Sequence, residues 1–144
     1  MKIHTLSTPP YDTECERATF SYLMSIMAVF AGLPIPIINL LATLIFYFGN
    51  KKSTTFVKWH CTQALVSQAF LFCFNSISFW WTIDVIFGDA TITDPYIAYI
   101  LLIFMLNTAE IIITMITMHH VRKGKHVKWF LFGEITDKLI PFNK

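Results

Sequence analysis

Three long stretches with almost no charged side chains constrain the fold of this chain more than any other feature. Residues 19–48 contain no Asp, Glu, Lys or Arg in 30 positions. Residues 56–82 carry only Lys58, and residues 95–118 carry only Glu110. A helix that crosses a bilayer needs about 20 mostly apolar residues. The pattern therefore predicts an all-α integral membrane protein, built as a small helical bundle with two full spans and a third, proline-broken segment.

The composition supports this class. The 144 residues leave room for one domain. Charged residues make up 14% of the chain, against roughly 25% in soluble proteins. The net charge of +2 is too small to indicate nucleic-acid binding. The three cysteines, Cys15, Cys61 and Cys73, form no CxxC pair and are odd in number, so no disulfide framework is expected.

The basic residues set the expected orientation. They follow the first and third apolar segments, whereas the connection between the second and third segments carries Asp84, Asp89 and Asp94 and no Lys or Arg. By the positive-inside rule, the acidic connection lies outside and the basic connections are cytoplasmic. The residues expected at the membrane surface are Lys51, Lys52, Lys58, Arg122, Lys123, Lys125 and Lys128.

The first apolar segment permits two interpretations. Gly32, Pro34 and Pro36 interrupt its middle, and a proline lacks the N–H that a helix interior needs. One interpretation is a single kinked span, which places the N-terminus outside. The other is a helical hairpin of two short helices, which places the N-terminus inside and requires protein to shield the turn.

The two ends of the chain are expected to lie outside the bundle. Residues 1–18 are interpreted as a polar N-terminal tail, and residues 19–121 as the transmembrane bundle. Residues 122–144 mix basic and aromatic side chains, among them Trp129 and Phe130, and are too charged to span. They are interpreted as an interfacial C-terminal tail.

Each apolar segment carries polar side chains at helical spacing. Asn107, Glu110, Thr114 and Thr117 are spaced 3, 4 and 3, which places them on one helix face. In lipid such faces point at other helices, where amides and hydroxyls form hydrogen bonds. The sequence therefore predicts an intramembrane polar cluster. Its members are Asn39, His60, Gln63, Ser67, Asn107 and Glu110.

Glu110 is the central residue of that predicted cluster. Counted from the cytoplasmic ends of their segments, Asn39, Gln63, Ser67 and Glu110 lie at a similar depth, roughly 10–16 Å. An unpaired Glu110 in that position is expected to be protonated and to donate a hydrogen bond. Either the cluster specifies helix packing, or it is a proton- or substrate-responsive site, since intramembrane ionisable residues are functional candidates.

No catalytic, cofactor or metal pattern is recognisable. The sequence contains no Walker A, GxSxG or HExxH motif. His119, His120 and His126 lack further ligands at suitable spacing, and they are expected among the basic residues at the membrane surface. We expect no enzyme, no cofactor and no metal site.

Two segments resemble a known family. Residues 36–45 contain Pro36 and Asn39, and residues 56–65 read FVKWHCTQAL, with His60 and Gln63 in a His-x-x-Gln motif. They resemble small bacterial multi-span membrane proteins of unknown function, which are distantly similar to the small four-span subunit of the chloroplast Tic translocon. The resemblance implies a multi-pass protein of the bacterial inner (cytoplasmic) membrane with a cytoplasmic N-terminus, and it favours the hairpin.

Two classes of function follow from these features. The first is an accessory or assembly subunit of a membrane complex, related to translocation if the resemblance holds. The second is a small channel or transporter component that uses Glu110 as an ionisable site. The expected partners are the lipid bilayer and either another protein or further copies of the chain; no nucleic acid is expected.

Overall fold

The structure, a computed structural model, describes the backbone of residues 1–32 and 36–142. It describes the side chains of the same residues except 28–32, 36 and 39. Five helices and two short strands follow one another in this part of the chain. In order they are β1 (Lys2–Thr5), α1 (Asp12–Gly32), α2 (Pro36–Gly49), α3 (Thr55–Phe87), α4 (Asp94–Arg122), β2 (Lys125–Lys128) and α5 (Phe132–Leu139).

The proline-broken segment forms two helices that run antiparallel. α1 ends at Gly32 and α2 begins at Pro36, where a proline is tolerated because the first turn of a helix has free N–H groups. α2 ends six residues before α3 begins at Thr55, and Glu14, in the first turn of α1, lines one cleft with Thr55 and Phe56, in the first turn of α3. Both outer ends therefore meet at one end of the bundle, and α1 packs on α2. This is the hairpin arrangement rather than one kinked helix; residues 33–35, which include Pro34, lie outside the described residues.

The two ends of the chain fold together: the fold is largely helical, as predicted, but each end contributes a short strand instead of lying outside the bundle as a tail. β1 pairs antiparallel with β2, in a register that places Thr5 opposite Lys125. α5 packs on α3 and on β2. A two-stranded ribbon is marginal alone, and this one is held by burying Val127 and His126 against the bundle. We call β1, β2 and α5 together the cap.

Two glycines allow the cap to close over the helices. Gly124 has a φ of +73° in the turn between α4 and β2, a conformation that costs other residues energy. Gly133 approaches Lys128 and the side-chain oxygen of Gln63 so closely that a Cβ atom would collide with the Lys128 side chain. A larger residue at 133 would therefore push α5 away from β2.

Two of the described helices, α3 and α4, are long and apolar enough to cross a membrane. α3 has 33 residues and α4 has 29, and their most apolar windows have mean hydropathies of 1.5 and 2.1. Only 6% and 22% of those windows is buried in the protein. The core helix of a soluble protein buries most of such a surface, so the exposure of these two helices favours contact with lipid.

Burial is concentrated at the end of the bundle that carries the cap. Every buried residue of α3 lies between Phe56 and Leu71, and every buried residue of α4 lies between Glu110 and Val121. We call this part the capped half. Residues 72–87 and 94–109, the distal half, contain no buried side chain, and Trp80 there is 67% exposed.

Candidate functional site

Glu110 lies at the boundary between the two halves and is 6% exposed. Its Oε1 atom accepts a hydrogen bond of 2.8 Å from Gln68 Nε2. The hydroxyls of Ser67 and Ser25 each lie 3.4 Å from the same oxygen, and Gln68 Nε2 also contacts Ser25 Oγ at 2.5 Å. The carboxyl group thus joins α4 to α1 and α3 at one level, which we call the Glu110 layer.

The second carboxyl oxygen has a different environment. Glu110 Oε2 is buried and has no well-aligned hydrogen-bond partner among the described residues. Thr114 lies one turn further along the same face of α4, and its hydroxyl interacts with the carboxyl group without forming such a bond. A buried polar atom left in this way costs free energy, so this oxygen is where the layer is least satisfied.

Gln63 forms a separate layer nearer to the cap. Its Nε2 atom donates to the Tyr22 hydroxyl at 2.8 Å and to the carbonyl oxygen of Val127 at 3.2 Å. Its Oε1 atom accepts the backbone N–H of Trp129 at 3.0 Å. A single fully buried amide therefore ties α3 to α1 and to the backbone of the cap, and we call this group the Gln63 layer.

Aromatic and histidine rings fill the space around the Gln63 layer. The rings of His60 and His126 lie 5.2 Å apart, and Trp59 packs edge-on against His126 at 4.3 Å. Trp129 stacks on Tyr22, and its indole N–H donates to Thr117 at 2.7 Å. The expectation that His126 lies at the membrane surface is wrong, because the β1–β2 pairing turns its ring into the bundle.

Asn107 belongs to a third contact, in the distal half. Its amide exchanges hydrogen bonds with the amide of Asn75, at 2.8 and 3.2 Å. Further from the cap, the hydroxyls of Thr82 and Tyr96 lie 3.1 Å apart. These contacts join α3 to α4 where no other described helix covers them.

The predicted polar cluster is therefore divided among separate levels. Ser67 and Glu110 meet, as the spacing predicts. Gln63 and His60 do not contact Glu110; they bond within the Gln63 layer, because the cap supplies backbone groups that the sequence did not place there. Asn107 bonds to Asn75, and the side chain of Asn39 lies outside the described residues.

Sequence reasoning missed the contribution of α1. Tyr22 and Ser25 are buried and bond to His60, Gln63 and Gln68. A signal existed, because the buried residues Cys15, Ala18, Tyr22 and Ser25 are spaced 3, 4 and 3, which is one helix face. Two of these four residues lie before residue 19, and a third, Ser25, has a small polar side chain, so hydropathy alone did not reveal this face.

Most of the residues expected at the surface are exposed, but Lys128 is not a free surface cation. Its ammonium group forms an ion pair of 2.5 Å with Asp137 Oδ2, and Trp59 Nε1 donates to Asp137 Oδ1 at 2.8 Å. Partial burial raises the pKa of the Asp137 carboxyl, but the hydrogen bonds from Lys128 and Trp59 outweigh it, so the net pKa is lowered. This contact fixes α5 to β2 and α3.

Comparisons with known proteins bear on the family. No curated protein and no solved structure matches the chain. Residues 16–135 match the model of the MamF/MmsF family, described as the magnetosome magnetite crystal formation protein family. The match supports the prediction of a small bacterial membrane protein family and a membrane location, whereas similarity to the Tic translocon is not shown. Since the match covers most of the sequence, the chain belongs to the magnetosome magnetite crystal formation protein family.

Proposed function

We propose that this chain is a multi-pass accessory protein of the magnetosome membrane that assists magnetite crystal formation without catalysing a reaction. Membership of the family supports the location and the process. The lipid bilayer and another protein, or a second copy of the chain, are the proposed partners. A part in protein translocation is not proposed, because neither the family match nor the geometry supports it.

The observation that carries the accessory role is the Gln63 layer, where one buried amide ties α3 to α1 and to the cap. All three hydrogen-bonding groups of the Gln63 amide are used inside the protein. In the Glu110 layer, Gln68 and two serine hydroxyls converge on one carboxyl oxygen. Buried polar networks of this kind specify one rigid arrangement of helices. A rigid membrane module suits a scaffold or assembly role.

The role is tested in a magnetosome-forming bacterium that lacks the native gene for this chain. We expect deletion to change the size or shape of the magnetite crystals seen by electron microscopy, and the wild-type chain to restore them. Glu110→Gln should also restore them, because the amide keeps the size of the side chain and its acceptor oxygen. Crystals that remain normal after the deletion would contradict the proposed function.

The proposed orientation places both basic connections and the cap in the cytoplasm, and the acidic connection around Asp89 on the opposite side. The register that places Thr5 opposite Lys125 supports a cytoplasmic N-terminus. After replacement of the native cysteines, a cysteine at Asp89 should react with an impermeant thiol reagent added to membranes oriented as in intact cells. Cysteines at Thr5 and Lys52 should not react, and labelling of either would contradict this topology.

A second candidate, a small channel or transporter component, rests on one specific observation. Glu110 is the lone carboxyl group in its apolar segment, and its Oε2 atom is buried without a well-aligned partner among the described residues. Such a group is able to take part in proton movement. An ion flux through the purified protein in liposomes that Glu110→Gln abolishes would favour this candidate. An equal flux with both proteins would exclude a role for ionisation.

A further inference from the structure

A groove of about 350 Å³ lies between α1 and α4 at the capped end of the molecule, outside every polar layer described above. One part is apolar, with the thioethers of Met115 and Met118 along α4 and Thr19 of α1 facing them. The other part is basic, with His119, Arg122 and Lys123. Met115 and Arg122 are seven residues apart, so the two parts are separated by roughly 10 Å along the helix.

The positive charge of the basic part is largely available to bind an anion. Arg122 lies 4.0 Å from Glu16, and both side chains are about half exposed, so this ion pair is weak. The last carbonyl groups of α4 are occupied by the N–H groups of Lys123 and Gly124, which reduces their repulsion of an anion.

The apolar and basic parts of the groove follow one another in the same order as the hydrocarbon and headgroup layers of a membrane. α4 ends at Arg122, where the apolar helix gives way to the cap. The methionines therefore lie on the side of the hydrocarbon, and the cations lie at the level of the lipid headgroups. Basic pockets between membrane helices on the cytoplasmic side are typical sites for anionic headgroups.

We propose that the groove between α1 and α4 is a binding site for one anionic phospholipid. The headgroup phosphate binds Arg122 and Lys123, and an acyl chain lies along Met115 and Met118. The flexible thioether side chains adapt to an irregular hydrocarbon chain. The site goes beyond the proposed function, because it requires a membrane but no role in crystal formation.

The experiment counts lipids bound to the full chain, purified in mild detergent, by native mass spectrometry. Phosphatidylglycerol and phosphatidylcholine are titrated separately. We expect a single phosphatidylglycerol to bind at least several-fold more tightly than phosphatidylcholine. Arg122→Gln with Lys123→Gln should weaken that binding on the order of tenfold or more. The matched control is Lys51→Gln with Lys52→Gln, which removes the same charge from the same end of the molecule and should keep the binding.

Further variants separate the groove from general electrostatics. Met115→Trp fills the apolar part without changing charge; Met115 is exposed, so the fold tolerates the change, and the lipid should be lost. Glu16→Gln frees Arg122 and should tighten phosphatidylglycerol binding slightly. Equal binding of the two lipids, an equal loss in the Lys51 and Lys52 control, or unchanged binding in Met115→Trp would each overturn the site. Displacement of the lipid by inorganic phosphate alone would show a free-anion site and would overturn it as well.

Discussion

The capped half and the distal half are built from the same two long helices, yet they are held together differently. In the capped half, α1, α2 and the cap surround α3, and the polar side chains bond across at least three elements. In the distal half, α3 and α4 meet through the Asn75–Asn107 pair and a few hydroxyl contacts. Large apolar side chains there remain exposed, such as Phe104 at 69%.

The difference shows that two parts of one long apolar helix can have different surroundings. A buried amide that bonds to backbone groups fixes a unique arrangement, because any other arrangement leaves those groups unpaired. A hydrogen bond between two helices exposed to lipid contributes less, since the separated helices find other partners. We therefore expect the capped half to be the more rigid part of the protein; in the proposed membrane setting, lipid or a partner covers the apolar surface of the distal half.

The largest effect is expected at Gln63. Gln63→Leu removes three hydrogen bonds, and the Tyr22 hydroxyl, the Val127 carbonyl and the Trp129 N–H each lose their bond to the amide. We expect a loss of about 3 kcal/mol in the free energy of unfolding, measured by tryptophan fluorescence during equilibrium unfolding in denaturing detergent. If Gln63→Leu lowers the free energy of unfolding less than the matched Asn75→Leu change does, the capped half is not the more rigid part.

An intermediate effect is expected in the Glu110 layer. Glu110→Leu should lower the free energy of unfolding by roughly 1–2 kcal/mol, because Gln68 loses its acceptor. Glu110→Gln should be close to neutral. A double-mutant cycle should show coupling of Glu110 with Gln68, and a value near zero with Gln63, which bonds elsewhere. Coupling with Gln63 and none with Gln68 would contradict the Glu110–Gln68 hydrogen bond.

A smaller effect is expected in the distal half. Asn75→Leu removes one side of the reciprocal amide pair with Asn107. We expect a cost of roughly 0.6–1 kcal/mol in the same unfolding measurement. The Asn75→Leu, Asn107→Leu double variant should cost little more than either single variant, because the second change leaves no further amide unpaired. Additive costs would show that the two amides do not stabilise each other and would contradict the pairing.

The smallest effect is expected at the surface of the cap. The lowered pKa of Asp137 means that its contribution to stability is present above the ordinary carboxyl value of 3.8 and is lost as the pH falls through the lower folded value. Asp137→Asn should therefore reduce the loss of stability below about pH 4. At neutral pH we expect a cost of about 0.5 kcal/mol, since the group is partly exposed and screened by solvent. If Asp137→Asn loses as much stability at acid pH as the wild-type chain, Asp137 does not contribute to the acid sensitivity.

Hydropathy and charge were enough to predict much of the architecture. The uncharged stretches predicted the two long apolar helices, because a charged side chain in hydrocarbon is too costly to be scattered through them. The prolines predicted the break that the structure has between Gly32 and Pro36. The 3, 4 and 3 spacing predicted that Glu110, Thr114 and Thr117 share a buried face of α4, because the helical period alone fixes it.

The partners across that face were decided by the tertiary structure. Depth along a helix is known from sequence only to about one turn, and one turn separates Gln63 from Ser67 and Gln68. The cap decides between them, because its backbone N–H and carbonyl groups occupy Gln63 and leave Gln68 to bind Glu110. The pairing of β1 with β2 joins residues 120 or more positions apart, and local sequence carries no signal for such a contact. The sequence thus determined which segments lack charged residues and which residues share a helix face. Packing at the capped end determined which polar groups form hydrogen bonds with each other.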